Sequence, residues 1–329
     1  MCPILLTKDN YLKHMNTLVV GAGGQIGTEL IPHLQKVYGF DNVVAADVRP
    51  DVVGRLSGFS RAITLDALDV KSYSAAIKEN KIDRIYNLVA LLSATGEKNP
   101  QLAWSVNMGA LLNSLELARE FKCSIFTPSS IGAFGNSTPH DNTPQDTIMQ
   151  PNTMYGVCKV SGELLSDYYY SRFGVDTRSV RFPGIISNGC LPGGGTTDYA
   201  VEVFYEIISK GKYTCPIPEN TYMDMLYIPD ALDACTQLMD ASPDKLIHRN
   251  SFNVTGMSFS PKDLFAAIKK RIPSASFDYK VDPVKDEISA SWPNYMDDSC
   301  ARKEWGWNPK WGMEEMIDDM IAAIRLKQK

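Results

Sequence analysis

Paired cysteines, clustered histidines, surplus basic charge and long apolar runs are all missing from this chain of 329 residues. Its seven cysteines (Cys2, Cys123, Cys158, Cys190, Cys215, Cys235 and Cys300) are odd in number, scattered and never spaced as CxxC. That is the pattern of free thiols in a reducing compartment, not of a disulfide framework. The four histidines (His14, His33, His140 and His248) are equally dispersed, so no local metal-ligand spacing is present and no metal is expected in the site. Lysine and arginine total 33 against 38 aspartate and glutamate, a net charge of −5. No cationic surplus is left to neutralise a phosphate backbone or an anionic bilayer. No apolar stretch reaches the ~20 residues of a membrane-spanning helix. Nucleic acid and membrane are therefore not expected as partners. The opening MCPILLTKDNYLKHM has neither a secretory apolar region nor the arginine-rich amphipathic character of a transit peptide. An intracellular location is expected, the mitochondrial matrix for a eukaryotic source and the cytoplasm otherwise.

What is present is an ordinary globular composition, 44% hydrophobic and 22% charged. NTLVVGAG, NVVAADV, RAITLDAL, RIYNLVAL, CSIFTPSS and DTRSVRFPG read as strands. Amphipathic segments separate most of them, notably GTELIPHLQKVYG, YSAAIKEN and NMGALLNSLELAREF. Continuous apolar strands alternating with helices predict a parallel sheet covered on both faces, a doubly wound α/β domain of Rossmann type. After Pro183 the rhythm changes to a glycine-rich loop, NGCLPGGGTTDYA, followed by short strands, prolines and helices. The expected division is an N-terminal extension (1–16), a Rossmann domain (17–182) and a smaller α/β lobe (183–329), with segments near 224–256 returning to the first domain.

The turn after the first strand carries GxxGxxG, with Gly21, Gly24 and Gly27, and Gly23 as an extra. Residues without Cβ let backbone approach a pyrophosphate, whose charge is stabilised by the N–H groups at the helix start. A structural glycine bend is the alternative. Asp47 ends the second strand about twenty residues on, where a carboxylate accepts hydrogen bonds from an adenine ribose and repels a 2′-phosphate. That favours NAD over NADP. Arg49 two residues later reads either as a tolerator of that phosphate or as a surface residue. Asp66 reads either as a reader of adenine or as the N-cap of the helix in DALDVKSY.

In PNTMYGVCKVSGELL, Tyr155 and Lys159 stand four apart, on one face of a helix. A phenol ionises near pH 10, so a phenolic base working near neutrality needs about 3 to 4 kcal/mol of help, and a neighbouring ammonium has the right sign. None of the other fourteen tyrosines has a lysine at this spacing. Ser130 in FTPSSIGAFG lies at the carboxyl end of a predicted central strand, where open α/β sheets place their ligands. Its hydroxyl suits the same substrate oxygen, although Ser129 and Ser130 also read as turn serines.

Taken together, GxxGxxG, the acidic residue after the second strand, Asn107 in WSVNMGALLN, the serine of PSSIGAFG and YxxxK resemble, in order and spacing, the extended short-chain dehydrogenase/reductases. In that family the serine positions the substrate oxygen, the tyrosine transfers the proton, and the lysine binds the nicotinamide ribose while lowering the tyrosine pKa. The asparagine helps hold the active-site helix and a relay water. The resemblance thus implies catalytic roles for Ser130, Tyr155, Lys159 and Asn107. It implies NAD contacts at Gly21, Gly24, Gln25, Ile26, Gly27, Asp47, Asp66, Ala67, Leu88, Ala90, Asn107, Tyr155, Lys159, Pro183 and Ile185. It also implies a homodimer, built on NMGALLNSLELAREF and the helix that begins at Tyr155.

Most extended members act on nucleotide sugars, and many grip the diphosphate with an arginine in a stretch like RDFVYVDDVA. Here YMDMLYIPDAL retains Asp224, Tyr227 and Asp230 but has Met223 at the arginine position, and methionine cannot form bidentate hydrogen bonds to phosphate. LLSATGEKNPQLAW, LPGGGTTDYAVEVFYE, SFNVTGMSFSP and SWPNYMDDSCARKEWGW are similar instead to one branch, the short-chain type of L-threonine 3-dehydrogenase. This implies metal-independent oxidation of L-threonine at Cβ by NAD, with Tyr155 as base. Ser93, Ser130, Tyr155, Thr196, Thr197 and Trp292 are the expected substrate contacts. The alternatives are helix capping by Thr196, Thr197 and Asp198, and inter-lobe packing by Trp292. Gly193 to Gly195 supply the freedom for that loop to close. A nucleotide-sugar epimerase or dehydratase and a non-catalytic NAD sensor are the rival functions.

Overall fold

A computed structural model describes residues 15–189, 191 and 195–328. The N-terminal extension, apart from its last two residues, and Gly193 and Gly194 of the glycine-rich loop lie outside the described residues. The first half runs β1 (Thr17–Val20), α1 (Gln25–Tyr38), β2 (Val43–Asp47), α2 (Pro50–Leu56), β3 (Arg61–Thr64), α3 (Val70–Glu79), β4 (Arg84–Asn87), α4 (Ser93–Lys98), α5 (Pro100–Phe121), β5 (Ser124–Phe126), β6 (Ser129–Ser130), α6 (Met154–Phe173), β7 (Thr177–Arg178), β8 (Val180–Phe182) and β9 (Gly184–Ile186). The second half adds α7 (Tyr199–Lys210), β10 (Lys212–Cys215), β11 (Met223–Tyr227), α8 (Ile228–Asp240), β12 (Phe252–Asn253), β13 (Met257–Phe259), α9 (Pro261–Arg271), β14 (Ser276–Tyr279), α10 (Pro283–Ala290), α11 (Ser299–Trp305) and α12 (Met313–Lys327).

Six parallel strands form the main sheet in the order β3-β2-β1-β4-β5-β7. This is the doubly wound α/β arrangement expected from the alternation of apolar strands and helices. Successive side chains of a strand point to opposite faces, and β1 shows the consequence. Leu18 and Val20 enter one core with Tyr73 of α3, Leu111 and Leu115 of α5 and Tyr169 of α6. Val19 enters the other, with Leu30, Ile31 and Leu34 of α1 and Ala231 and Leu238 of α8. This second core continues without a break into the carboxyl-terminal half, through Phe204, Phe265, Met316 and Ile324.

The sheet is prolonged at its ligand end. β6 follows β5 and pairs with β8, which follows β7, and β12 pairs with the far side of β8. The chain at 252–253 thus comes back to the strands of the first half. β9 carries the chain away to pair with β11, which also bears β13. No helix among the described residues is long and apolar enough to cross a membrane.

Candidate active site

The turn between β1 and α1 needs its glycines for two separate reasons. Gly21 sits at φ +81°, in the left-handed region. A Cβ on Gly27 would lie 2.7 Å from the Ala22 carbonyl oxygen. No side chain caps α1, so its first-turn donors are left for an anion. The turn forms one wall of a cavity of about 250 Å³. Gly21, Gly24, Gln25, Ile26 and Gly27 line it, with Leu88 and Ala90 beyond β4 and Pro183 and Ile185 around the start of β9. Ser93, Ser130, Tyr155, Lys159, Thr196, Thr197 and Trp292 line the same space. These residues converge because β1, β4, β6 and β8 all end there.

Asp47, Asp66 and Ala67 lie outside this cavity, across the carboxyl ends of β2 and β3. Asp47 is buried and accepts the Gly23 N–H at 2.9 Å, which ties the end of β2 to the glycine turn. Its carboxylate is also held by Arg49, through Nε at 3.0 Å and the backbone N–H at 3.1 Å. Burial opposes ionisation of Asp47, but the bonds from Arg49 and Gly23 outweigh it and hold the carboxyl below its usual range. Arg49 is half exposed, so neither simple reading of it suffices. It is a surface residue whose guanidinium is paired with the Asp47 carboxylate. The capping alternative for Asp66 is corrected by the structure: Asp69 caps α3, accepting from Lys71 and Ser72, while exposed Asp66 accepts the Leu68 N–H at 2.9 Å in a turn. The Ala67 carbonyl is taken by Asn113 at 2.9 Å.

Tyr155 opens α6, capped by Thr153 through the Gly156 N–H at 3.1 Å. Lys159, one turn on, lies with Nζ 5.3 Å from the Tyr155 ring centroid and donates to the Pro128 carbonyl at 2.6 Å. Hydrogen bonding separates the two serines that the sequence leaves equivalent. Ser129 spends its hydroxyl on buried Glu163. Ser130 accepts the Gly132 N–H at 3.1 Å, which fixes its oxygen and leaves its proton to donate into the cavity. Gly132 in turn lies flat against Tyr155, where a Cβ would be 3.3 Å from the ring.

Asn107 uses both ends of its carboxamide on Leu91, accepting its N–H at 2.7 Å and donating to its carbonyl at 3.1 Å. It therefore anchors the loop that leads from β4 to Ser93. Burial raises the pKa of the Cys158 thiol on α6, an effect that a hydrogen bond with Asn107 partly offsets. Neither Thr196 nor Thr197 caps α7; Asp198 reaches back to the Gly195 N–H at 2.6 Å, which leaves the threonines facing the cavity. Trp292 packs with Ile131, Phe134, Ile288 and Met296, joining the two halves, and also walls the cavity.

Three residues of the YMDMLYIPDAL stretch act as fasteners. Asp224 holds Thr255 and the Met296 N–H, Tyr227 holds Asp319, and Asp230 accepts the Lys310 and Trp311 N–H groups. Met223 is fully buried in the core. What sequence reasoning missed is the network behind Ser129. Glu163 on α6 pairs with Arg181 on β8 at 2.9 Å, and Arg181 also donates to Asn253 at 3.0 Å and to the Gln145 carbonyl at 2.8 Å. All four side chains are buried. The available signal was Arg181 between the apolar Val180 and Phe182 of β8, whereas Glu163 stands among other polar residues of α6.

Comparison with known proteins places this geometry. The chain matches the model of the NAD dependent epimerase/dehydratase family over residues 17–255. It is 51% identical over 312 residues to an uncharacterized epimerase/dehydratase of Staphylococcus haemolyticus, covering 95% of this chain and 98% of that one. Among solved structures it is similar to L-threonine dehydrogenase from Clostridium difficile, with 48% identity, a TM-score of 0.93 and coverage of 95% and 98%. It is also similar to a monomeric L-threonine 3-dehydrogenase from a metagenome database, with 41% identity, a TM-score of 0.90 and coverage of 95% and 100%.

Proposed function

This chain belongs to the NAD dependent epimerase/dehydratase family, a family of enzymes that use NAD, and from that premise we propose that it oxidises L-threonine at Cβ to 2-amino-3-oxobutanoate. The observation that carries this reading is the shared cavity. Ser130, Tyr155 and Lys159 stand there with the glycine turn on one side and the hydroxyls of Ser93, Thr196 and Thr197 on the other. The lining has one cation, Lys159, and no arginine among the described residues, so beyond the glycine turn no guanidinium is placed to grip a second, substrate diphosphate. The similarity to threonine dehydrogenases supports the same choice.

The cradle fits NAD: uncapped α1 faces the pyrophosphate position, and Asp47 and Asp66 lie where adenosine would cross β2 and β3. When bound, NAD supplies the two-electron acceptor for the hydrogen that leaves Cβ. Tyr155, as phenolate, takes the proton of the threonine hydroxyl, and Ser130 donates to that oxygen as it becomes a carbonyl. Lys159, held by the Pro128 carbonyl, places a positive charge beside the phenol ring. Asn107 is a positioning residue, acting through Leu91 on the loop that presents Ser93. Ser93, Thr196 and Thr197 hold the carboxylate and ammonium, and Trp292 closes one wall. No step calls for a metal.

NADH absorbance tests this with chelator-treated protein, NAD and L-threonine, with L-serine, L-allo-threonine and UDP-glucose in parallel. NADH from L-threonine in preference to the others is the expected outcome. No NADH from L-threonine, with NAD still bound, would overturn the substrate and leave the cofactor standing.

A homodimer belongs to the same proposal. Trp104 and Leu112 on α5, and Val157, Leu164 and Tyr168 on α6, are exposed apolar residues on two helices that pack together. Leu164 is 62% exposed, an unusual place for leucine at the middle of a helix unless a partner covers it. Light scattering should show a dimer that Leu164→Glu converts to monomer; a monomeric parent chain would overturn this.

A further inference from the structure

Histidine and cysteine are dispersed along the chain, yet the fold gathers His248, Cys300 and Glu304 so that one donor atom from each lies within 4.8 Å of the others. The cluster is remote in sequence and outside the cavity lining described above. His248 lies between α8 and β12, and Cys300 and Glu304 stand four apart on one face of α11.

The geometry points to a binding site for a zinc-like divalent cation at this cluster. Glu304 is buried, accepts the backbone N–H groups of Ile247 and His248, and grips His248 at Nδ1. A carboxylate on one ring nitrogen fixes the imidazole and presents the other to a metal. That other nitrogen, Nε2, lies 3.6 Å from Oδ2 of Asp146, whose side chain is 87% exposed and free to swing. Cys300 is partly exposed and supplies sulfur. Thiolate, imidazole and carboxylate are the donor types zinc takes. Tetrahedral zinc sets its donor atoms about 3.5 Å apart, close to the 3.6 Å that separates His248 Nε2 from Asp146 Oδ2, and Cys300 stands in the same cluster. The Cys300 thiolate and the Asp146 carboxylate neutralise its charge, with Glu304 as the positioning residue behind His248. Bound there, the cation would tie the loop before β12 to α11 and to the segment that carries Asp146.

The test is calorimetric titration of zinc chloride into the chelator-treated full-length protein, with cobalt chloride as a spectroscopic probe. The expected result is one saturable site per chain and a near-ultraviolet sulfur-to-cobalt charge-transfer band. Cys300→Ser, nearly isosteric and at a partly exposed position, should abolish the band. Cys300→Ser and His248→Gln should each weaken zinc binding at least tenfold. Zinc should raise the melting temperature of the parent chain and leave that of Cys300→Ser unmoved. Absence of a one-to-one site overturns the proposal, and so does a titration that His248→Gln leaves unchanged, because a lone exposed thiol would behave that way. Threonine oxidation by the metal-free protein is a separate measurement, so failure of one reading does not touch the other.

Discussion

Asp224 should make this protein less stable as the solution becomes more alkaline, and Asp224→Asn should remove that loss. The carboxyl is fully buried in β11, 2.6 Å from the Thr255 hydroxyl and 2.8 Å from the Met296 N–H. Burial pushes its pKa up to about 8, and the nearby charge of Asp298 adds to the rise, while the bonds from Thr255 and Met296 oppose it. In the unfolded chain an aspartate ionises near 3.9. Between these limits the native state holds a proton that the unfolded state has released, so stability falls as pH rises through the window and is lost no further above it. The slope is at most about 1.4 kcal/mol per pH unit, on the order of 5 kcal/mol in all.

Asparagine cannot ionise but can keep both contacts: Nδ2 donates to the Thr255 hydroxyl, which accepts as readily as it donates, and Oδ1 accepts the Met296 N–H. Paired thermal melts at pH 5 and pH 8.5 isolate the effect, since every other group titrates in both proteins. At pH 5, about one unit into the window, the variant should melt only slightly higher, since about 1.5 kcal/mol of the loss is already present. At pH 8.5 the variant should melt higher by several degrees. A gap independent of pH, or one that closes as pH rises, would refute a protonated Asp224 in the native state.

Tyr155→Phe should abolish NADH formation while leaving NAD affinity nearly unchanged by calorimetry, since it removes the proton acceptor and little contact area; retained turnover would sink the assigned role. Arg181→Met strands the buried Glu163 carboxylate and should cost about 3 to 5 kcal/mol in urea denaturation, with much of the loss recovered in the Arg181→Met, Glu163→Met double variant. Asp69→Ala should lower the melting temperature by uncapping α3 and leave NAD binding alone. Asp66→Ala should do the reverse, weakening NAD about tenfold with little change in melting; the opposite pairing would restore the sequence's alternative for Asp66.

The parts of the fold legible in the sequence are those whose cause is local. A parallel strand covered on both faces is a continuous apolar run, and β1, β2, β4 and β5 read directly as such. A tight strand-to-helix turn needs its glycines within a few residues, and a helix brings i and i+4 together, so GxxGxxG and the Tyr155 to Lys159 pair are written in contiguous stretches. Their meeting in one cavity follows from topology, because parallel strands end on the same side of the sheet.

Residue type alone could not say which polar atoms are already spent. Ser129 and Ser130 are adjacent and alike, and what separates them is Glu163, 34 residues from Ser129. Asp66 and Asp69 both precede a helix, and only the hydrogen bonds show which one caps it. Glu304 finds His248 from 56 residues away, so a cluster with no spacing pattern was invisible to any search for one. Each ambiguity has the same physical form: a hydroxyl, carboxylate or imidazole has few bonding sites, and a buried one is satisfied by whatever the fold brings near. A side chain whose bonds are filled by protein, as with Ser129, is part of the frame. One that is held at one atom and lines the cavity with the other, as Ser130 is by Gly132, is placed to meet what enters that cavity.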